Sequence, residues 1–307
     1  HSLQQGLSVM AADTPLLWKG LASMSTLASL RMGFGDGQVW INHLGTCTQV
    51  RHLSTRGFLS GPHEQAMPVA LMSAPQLQTL TLPYQGGDYR PALAMLTRLE
   101  SLTWMGGLRA LPVALFPENW HIRRLEMRNN RSEDWRRTMS SVQVSVLSLM
   151  ECVISSEALV HVLTNQRALM ALDLTGVVLS NPELKRVWST IAAAQWPIRE
   201  LRLTGHADEP GLPWTWLLEQ LGQMSSLQRL QFFPGFEGYH IYSIDPPPMV
   251  DILAALPQLN MLVLGQYGLA KPYSSHAESA IWDSQLTICL PSGSLWVRKA
   301  LRAHTKR

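Results

Sequence analysis

The sequence predicts an α/β solenoid of about ten repeats, with parallel strands along one side and helices or loops along the other. A pattern of apolar residues at positions one, four and six recurs ten times in the 307-residue chain. The copies start 22 to 32 residues apart. Self-similarity of this kind is typical of units that bury their apolar faces against their neighbours. The copies begin at Leu27, Val50, Leu77, Leu99, Ile122, Val144, Leu169, Ile198, Leu227 and Leu259.

The second half of each copy predicts a short strand. Apolar and polar residues alternate there, as in Leu201-Arg202-Leu203. A period of two places alternate side chains on opposite faces of a sheet, so one face is buried and the other is open. The copy that starts at Val50 is degraded, because Thr55 stands at its sixth position.

The segments between copies predict helices, most clearly in the later repeats. Ser155 precedes apolar residues at helical spacing from 159 to 163, so we expect it to cap a helix. Asn181 precedes Pro182 and apolar residues that continue to Ile191, so we expect Asn181 to cap the next helix.

The pattern resembles the leucine-rich repeat family, whose signature continues with Asn or Cys at position nine and an apolar residue at position eleven. The fifth copy has Asn130 at position nine, and the sixth has Cys152 at nine and Ile154 at eleven. The irregular repeat lengths are similar to those of F-box-type and ribonuclease-inhibitor-like members. The resemblance implies a right-handed, curved horseshoe with the strands on its concave face and the helices and loops on its convex face.

The unbroken run of copies predicts a single elongated domain over residues 1–307. Within it we expect an N-terminal cap at 1–26, the repeats at 27–270, and a C-terminal cap with a basic tail at 271–307. Terminal repeats of a solenoid need such caps because their apolar cores are otherwise open to water.

The composition argues against several classes of partner. The net charge is only +3 and charged residues make up 15% of the chain, so no strong electrostatic signal for nucleic acid or anionic lipid is present. No apolar run is long enough to span a membrane. The cysteines lie far apart, at Cys47, Cys152 and Cys289, which favours a reducing, intracellular location in the cytoplasm or nucleus.

The sequence offers no motif for catalysis, a cofactor or a metal. His43, Cys47 and His52 lie close in sequence, but their spacing matches no zinc motif. The acidic residues do not cluster, and no nucleophile elbow, phosphate loop or dinucleotide fingerprint is present. We therefore expect no enzyme activity and no cofactor.

Positions three, five and seven of each copy predict a binding surface on the open face of the sheet. Exposed Met and Phe beside Arg is a composition enriched at protein interfaces. The alternative is an ordinary solvated sheet face on which charges such as Arg124, Glu126 and Arg128 neutralise one another. The candidate contact residues on this face are Arg56, Met105, Arg124, Glu126, Arg128, Met150, Arg202, Arg229 and Phe233.

Loops that follow several strands supply a second set of candidates. Aromatic residues in long loops on a rigid scaffold are frequent contact residues. The alternative is that these rings fold back and cover the open edge of the solenoid. The candidate loop residues are Tyr84, Phe236, Tyr239 and Tyr242.

Together these features predict a non-catalytic scaffold or adaptor that binds a protein partner. The resemblance to F-box-type members implies the substrate-recognition part of a ubiquitin ligase as one specific role. The alternative is the ligand-recognition module of a larger immune-type receptor or of a pathogen effector.

Overall fold

A computed structural model describes most of the chain, in two compact units. The described residues are 5–10, 15–33, 43–56, 63–83, 87–106, 111–112, 115–132, 134–177, 179–194, 196–204, 214–233, 255–256, 258–259, 261–264, 279–282 and 286–289. The units are His1–Leu147 and Ser148–Arg307. The expectation of one domain with caps at 1–26 and 271–307 stays a prediction.

The first unit alternates strands with helices. Its strands are β1 (Gln5–Met10), β2 (Leu27–Gly33), β3 (His52–Arg56), β4 (Thr79–Pro83), β5 (Ser101–Met105) and β6 (Trp120–Arg128). Its helices are α1 (Pro15–Ser23), a 3-10 turn (Leu44–Thr46), α2 (His63–Met72), α3 (Arg90–Met95) and α4 (Trp135–Met139). Strand β7 (Val142–Met150) begins in this unit and ends in the next.

The second unit continues the alternation. Its helices are α5 (Ser156–Thr164), α6 (Asn181–Ala193) and α7 (Trp214–Gly222). Its strands are β8 (Ala171–Leu174), β9 (Glu200–Thr204), β10 (Arg229–Phe233), β11 (Met261–Leu264), β12 (Ser279–Trp282) and β13 (Leu286–Cys289).

Strand order and register confirm the predicted fold class, an α/β leucine-rich-repeat solenoid. In the first unit the order is β1-β2-β3-β4-β5-β6-β7, and in the second it is β8-β9-β10-β11-β13-β12. The neighbouring strands from β1 to β6 and from β8 to β11 pair in parallel. Position four of one copy pairs with position four of the next in two rows. The first row is Leu30, Leu53, Leu80, Leu102, Leu125, and the second is Leu172, Leu201, Leu230, Leu262.

The core consists of the apolar positions that the repeat pattern identifies. The first-unit leucines at position four are all at most 2% exposed, and Leu172, Leu201 and Leu230 of the second unit are too. Each fully buried side chain of this size contributes about 1.5 to 3 kcal/mol through the hydrophobic effect. Since a strand shares this core only with adjacent repeats, the register of the leucine rows fixes which side chains face outward.

Three described strands, β1, β12 and β13, lie beyond the copies that the pattern identifies. In β1, Leu7 pairs with Leu30 and Val9 pairs with Met32, so β1 has the register of a further repeat. In β13, Ile288 pairs with Leu262, and β12 then pairs antiparallel to β13. The sequence pattern misses β1 because Gln4 stands where the first apolar residue is expected.

Position nine of the fifth copy makes the contacts that the family resemblance implies. Asn130 is 3% exposed, and its Nδ2 donates to the carbonyl oxygens of Trp104 and Arg128, at 2.9 Å each. The side chain therefore bonds one repeat to its neighbour at the end of the strand. In the sixth copy, Cys152 is buried, and its thiol contacts the Met150 carbonyl oxygen at 3.6 Å.

The backbone at position eight is left-handed in three successive copies. Its φ angle is 52° at Asn129, 54° at Glu151 and 74° at Gly176. This conformation crowds Cβ against the backbone in every residue except glycine, and Asn tolerates it better than most others. Glu151 is therefore the residue of the three least suited to its turn.

Replacing Glu151 with glycine should raise the free energy of unfolding of the second unit by about 1 kcal/mol, because the left-handed strain disappears. Urea denaturation followed by circular dichroism measures the change. Glu157→Gly, in the first turn of α5, should lower stability by up to about 1 kcal/mol, because glycine is a poor helix former. A loss of stability in both variants would contradict the interpretation of position eight.

Position eight of the fourth copy brings two backbones together. The Gly106 N–H donates to the Arg128 carbonyl oxygen in the next copy. A Cβ built at Gly106 would lie 1.7 Å from the Asn129 carbonyl oxygen and 2.3 Å from its carbonyl carbon. Only glycine therefore fits between these copies.

The helix starts of the second unit agree with one prediction and correct another. Ser155 caps α5 as predicted, since its side chain accepts a hydrogen bond from the Ala158 N–H. The N-cap of α6 is Ser180, so the prediction of Asn181 is wrong. Glu183 determines this start: its carboxylate accepts from the Ser180 N–H at 2.9 Å and from the Ser180 hydroxyl at 2.8 Å.

The Glu183 carboxylate stabilises the N-termini of helices α5 and α6. Hydrogen bonds from the Ser180 N–H and hydroxyl, and to a smaller extent from Ser156 at the start of α5, lower the pKa of Glu183. The charged form is therefore favoured in the folded state. Because the folded pKa lies below the unfolded one, this stabilisation is present at neutral pH. It is lost as the pH falls from about 4.3 through the lower folded value.

Glu183→Gln should therefore destabilise the second unit at pH 7 and have a smaller effect near pH 3. Urea midpoints of both proteins at the two pH values measure this difference. Ser180→Ala removes one donor and should show part of the same pH dependence. A destabilisation by Glu183→Gln that is independent of pH would contradict the role of the charged carboxylate.

Candidate functional site

The outward positions of the first unit form a surface that we call the strand face. It comprises positions three, five and seven of the copies on β2 to β6 whose side chains the structure describes and that lie on the outer side of the sheet. Most of them are partly or fully exposed, as the strand period predicts. These residues are Ser29, Arg31, His52, Ser54, Thr79, Thr81, Ser101, Thr103, Met105, Arg124, Glu126 and Arg128.

Three charged residues of β6 form a cluster at one end of the strand face. The Arg124 Nη2 lies 3.4 Å from Glu126 Oε2, and the Arg128 Nε donates to Glu126 Oε1. The side chains of Arg124 and Arg128 remain about half exposed, at 52% and 50%. One carboxylate is thus shared by two guanidinium groups, and the cluster retains a positive charge.

Glu126 corrects one part of the sequence prediction. Its position in the repeat predicts an outward, accessible side chain, but Glu126 is only 5% exposed. The arginines two residues before and after it lie over the carboxylate, because residues i−2, i and i+2 of a strand share a face. Glu126 therefore positions the two arginines, and the arginines present the accessible surface.

Uncharged hydroxyl groups occupy the centre of the strand face. His52 Nδ1 lies 2.8 Å from the Thr79 hydroxyl, so a hydrogen bond joins β3 to β4. Thr81 and Thr103 are half-buried and lie side by side in register with Glu126. Pro83, at position seven of the copy that starts at Leu77, is buried and is not part of the strand face.

The corresponding positions of the second unit carry a balanced network of charges. Arg202 Nη2 lies 2.8 Å from Glu200 Oε1, and Arg202 Nη1 lies 3.7 Å from Asp173 Oδ2. Arg229 Nη1 lies 3.8 Å from Glu200 Oε2. The two carboxylates and two guanidiniums cancel, in contrast to the β6 cluster. The predicted alternative of mutual neutralisation therefore describes the second unit better than the first.

The remaining predicted contact residues are placed only in part. Met105 and Met150 have partly exposed side chains. The backbones of Arg56 and Phe233 end β3 and β10, but their side chains are outside the described set. The loop residues Tyr84, Phe236, Tyr239 and Tyr242 lie outside the described residues.

An aromatic cluster that the sequence analysis did not single out lies in the interior of the first unit. Tyr89 contacts Trp104 edge-on at 4.9 Å between ring centroids, and Trp104 contacts Phe116 at 6.5 Å. Phe116 stacks on Trp120 at 5.3 Å. Tyr89, Phe116 and Trp120 come from segments between copies or from a strand start, where the repeat pattern assigns no role.

A cavity of about 590 Å³ opens beside this cluster, on the helix side of the first unit. Asp88 and Arg90 form an ion pair at 3.0 Å in its wall, and a hydrogen bond from Arg90 lowers the pKa of Asp88. Arg137 and Glu118 also line it, so its charges balance. The lining provides no excess charge to select a ligand.

The described residues include no group of three or more His, Cys, Asp or Glu arranged to hold a metal ion. Burial raises the pKa of the Cys47 thiol. A raised pKa disfavours the thiolate that metal binding and nucleophilic chemistry need. Within the described part of the chain, no helix is both long and apolar enough to cross a membrane.

Comparisons with known proteins give only distant likenesses. No protein-family model matches the chain, and a search of curated proteins finds no match. Among solved structures, the chain is similar to one in the TLR13–ssRNA13 complex, with 15% identity and a TM-score of 0.41 over 82% of this chain. It is also similar to an internalin, InlF, from Listeria monocytogenes, with 11% identity and a TM-score of 0.33.

The lengths of these proteins differ from that of the chain. The chain spans 38% of the TLR13 chain. It covers 76% of the internalin, and that match includes 80% of this chain. The fold assignment therefore depends on the strand register and the leucine rows described above.

Proposed function

We propose that the protein is a non-catalytic scaffold that binds a protein partner through its strand face. The observation that carries the proposal is the half-exposed arginine pair of β6, beside a row of small hydroxyl side chains and Met105. Arginine and methionine are enriched at protein interfaces. A rigid parallel sheet holds these side chains in fixed positions, which lowers the entropy cost of binding.

A photo-crosslinking amino acid placed on the strand face tests this proposal. We expect the partner to be crosslinked from position 103, which lies at the centre of the face, and not from position 69. Val69 is the matched control because it is 65% exposed on α2, away from the strands. Crosslinks from position 69 alone would overturn the proposal.

Beyond the strand face, the proposed contact set adds residues of the second unit and of the loops, each as a separate contact. On the strands it comprises Arg56, Met105, Arg124, Arg128, Met150, Arg202, Arg229 and Phe233, with Glu126 as the residue that positions its neighbours. On the loops it comprises Tyr84, Phe236, Tyr239 and Tyr242. The loop part is tested separately by Tyr239→Ala/Tyr242→Ala: an unchanged yield of crosslinked partner in a folded variant contradicts the loop contacts.

A more specific role is the recognition part of an F-box-type ubiquitin ligase acting in the cytoplasm or nucleus. The irregular repeat lengths and the absence of clustered cysteines in the sequence support it. The alternative role is recognition within a larger immune-type receptor or a pathogen effector. The coding sequence upstream of His1 separates them: an F-box supports the ligase, and a nucleotide-binding domain or secretion signal supports the alternative.

A further inference from the structure

The charge on the strand face of the first unit differs from that of the chain as a whole. Its described side chains include three arginines, Arg31, Arg124 and Arg128, and a single carboxylate, that of Glu126. The whole chain has 25 basic and 22 acidic side chains, which are nearly balanced. The described side chains of the strand face therefore carry an excess of two positive charges.

The two ends of this surface are separated by a fixed distance. Arg31 lies on β2 and the arginine pair lies on β6, four strands away in order. Neighbouring strands are about 4.8 Å apart, so the ends are about 19 Å apart, the length of about six extended residues. Between them lie uncharged hydroxyl groups that can donate hydrogen bonds, such as Thr81 and Thr103.

The half-exposed guanidiniums suit carboxylates. Each guanidinium has five N–H donors in a planar fork that matches a carboxylate. The Glu126 carboxylate accepts one hydrogen bond from Arg128 and one from Arg124. Because their side chains are about half exposed, a carboxylate of a second protein can reach the same groups from the solvent side.

The residue types favour a protein over a nucleic acid as the occupant. Surfaces that bind single-stranded nucleic acids combine basic side chains with aromatic rings on which bases stack. The described side chains of the strand face include no Phe, Tyr or Trp, since Trp104 of β5 is in the core. Threonine and serine hydroxyls instead suit the carboxylates and backbone of an extended peptide.

We propose that the strand face of the first unit binds an extended, Asp- and Glu-rich segment of a protein partner, with Arg124 and Arg128 as its main contacts. This inference rests on the proposed function, because it specifies the chemistry of the partner at the same surface. Glu126 holds the two arginines in place and competes with the incoming carboxylates. The balanced charges of the second unit take no part in this selection.

Fluorescence anisotropy of the whole chain with a labelled peptide tests the proposal. The probe is a peptide of about twelve residues with alternating Glu and Ser, long enough to span the face. A Gln-Ser peptide of the same length is the neutral control. We expect the Glu-Ser peptide to bind more tightly than the Gln-Ser peptide and to weaken as salt is raised.

Matched variants locate the binding. Arg124→Gln/Arg128→Gln should weaken binding of the Glu-Ser peptide about tenfold, as expected for the loss of two exposed ion pairs. Arg51→Gln/Arg98→Gln removes the same charge from exposed positions just before β3 and β5, and should change binding less than twofold by loss of long-range attraction. Equal weakening in both pairs would overturn the proposal.

Two further variants test whether weaker binding reflects damage to the fold and whether the Glu126 carboxylate opposes binding. The double variant leaves the buried Glu126 carboxylate without its arginines, so Arg124→Gln/Glu126→Gln/Arg128→Gln is tested as well and should bind as weakly as the double variant. Glu126→Gln alone removes the competing carboxylate and should tighten binding about threefold. Weaker binding by a folded Glu126→Gln variant would overturn the competing role of Glu126, because its positioning of the arginines would then dominate.

An oligothymidylate probe tests the other class of macromolecule. Suppose that oligothymidylate binds more tightly than the Glu-Ser peptide and loses affinity in Arg124→Gln/Arg128→Gln. That result would overturn the proposal of a protein partner at this face in favour of a nucleic acid. The crosslinking experiment separates the two levels of inference. A partner crosslinked at position 103 whose affinity does not depend on Arg124 and Arg128 would leave the scaffold function standing and refute the acidic segment.

Discussion

Replacement of Trp104 by alanine is expected to lower the free energy of unfolding of the first unit by about 3 to 5 kcal/mol. The indole is fully buried at position six of its copy, between the rings of Tyr89 and Phe116. Alanine leaves a cavity that neighbours fixed in the sheet and in adjacent segments cannot fill. Urea denaturation followed by far-ultraviolet circular dichroism measures the loss.

Trp120→Ala provides the comparison for this prediction. Trp120 stacks on Phe116 but is partly exposed at the start of β6, so its loss should cost about 1 kcal/mol. The prediction fails if the two variants are equally destabilised, because burial would then not account for the difference.

Replacement of Gly106 by alanine is expected to destabilise the first unit by about 3 kcal/mol or more. The new methyl group would overlap backbone atoms of Asn129, which cannot withdraw as a flexible side chain could. Separating the two backbones would also lengthen the hydrogen bond from Gly106 to Arg128. Thermal and urea denaturation of the purified variant measure the effect.

Gly20→Ala is the matched control. Gly20 lies within α1, and a Cβ there meets no atom within 4 Å, so alanine should stabilise that helix by up to about 1 kcal/mol. Opposite signs for the two substitutions are the expected result. A Gly106→Ala protein as stable as the parent would show that the copies do not approach as closely as described.

The repeat pattern predicts the strands and the core correctly because both depend on local periodicity. An apolar residue at position four is buried wherever its neighbours also have one, and the row from Leu30 to Leu125 meets this condition. Trp104 is buried by the same rule, because it stands at position six of the copy that starts at Leu99. The buried stripe of α6, with Leu184, Val187 and Ile191, likewise follows from helical spacing.

Other features depend on contacts that no short pattern contains. Ser180 caps α6 because the Glu183 carboxylate reaches back to it, whereas the residue before a proline, Asn181, looks equally suitable in sequence. Glu151 adopts a left-handed backbone although its residue type gives no sign of it. Pairing with β2 reveals the repeat register of β1, which lacks an apolar residue at its first position.

The candidate site was predictable in position but not in charge. The strand period places Arg124, Glu126 and Arg128 on one face, and the sequence left open whether they neutralise one another. The structure shows Glu126 buried beneath two half-exposed arginines, while Arg202 and Arg229 are matched by two carboxylates. Net charge per chain averages over these two arrangements and therefore hides the difference.

The pairing of each strand with only its nearest neighbours has a mechanical consequence. Tension applied between the two ends of the protein would load the outermost strand of a sheet first, and its detachment leaves the next strand exposed in the same way. Each step would release one copy of 22 to 32 residues, about 75 to 110 Å of extended chain. In an optical trap the molecule should therefore unfold in a series of stepwise extensions rather than in one event at a single high force.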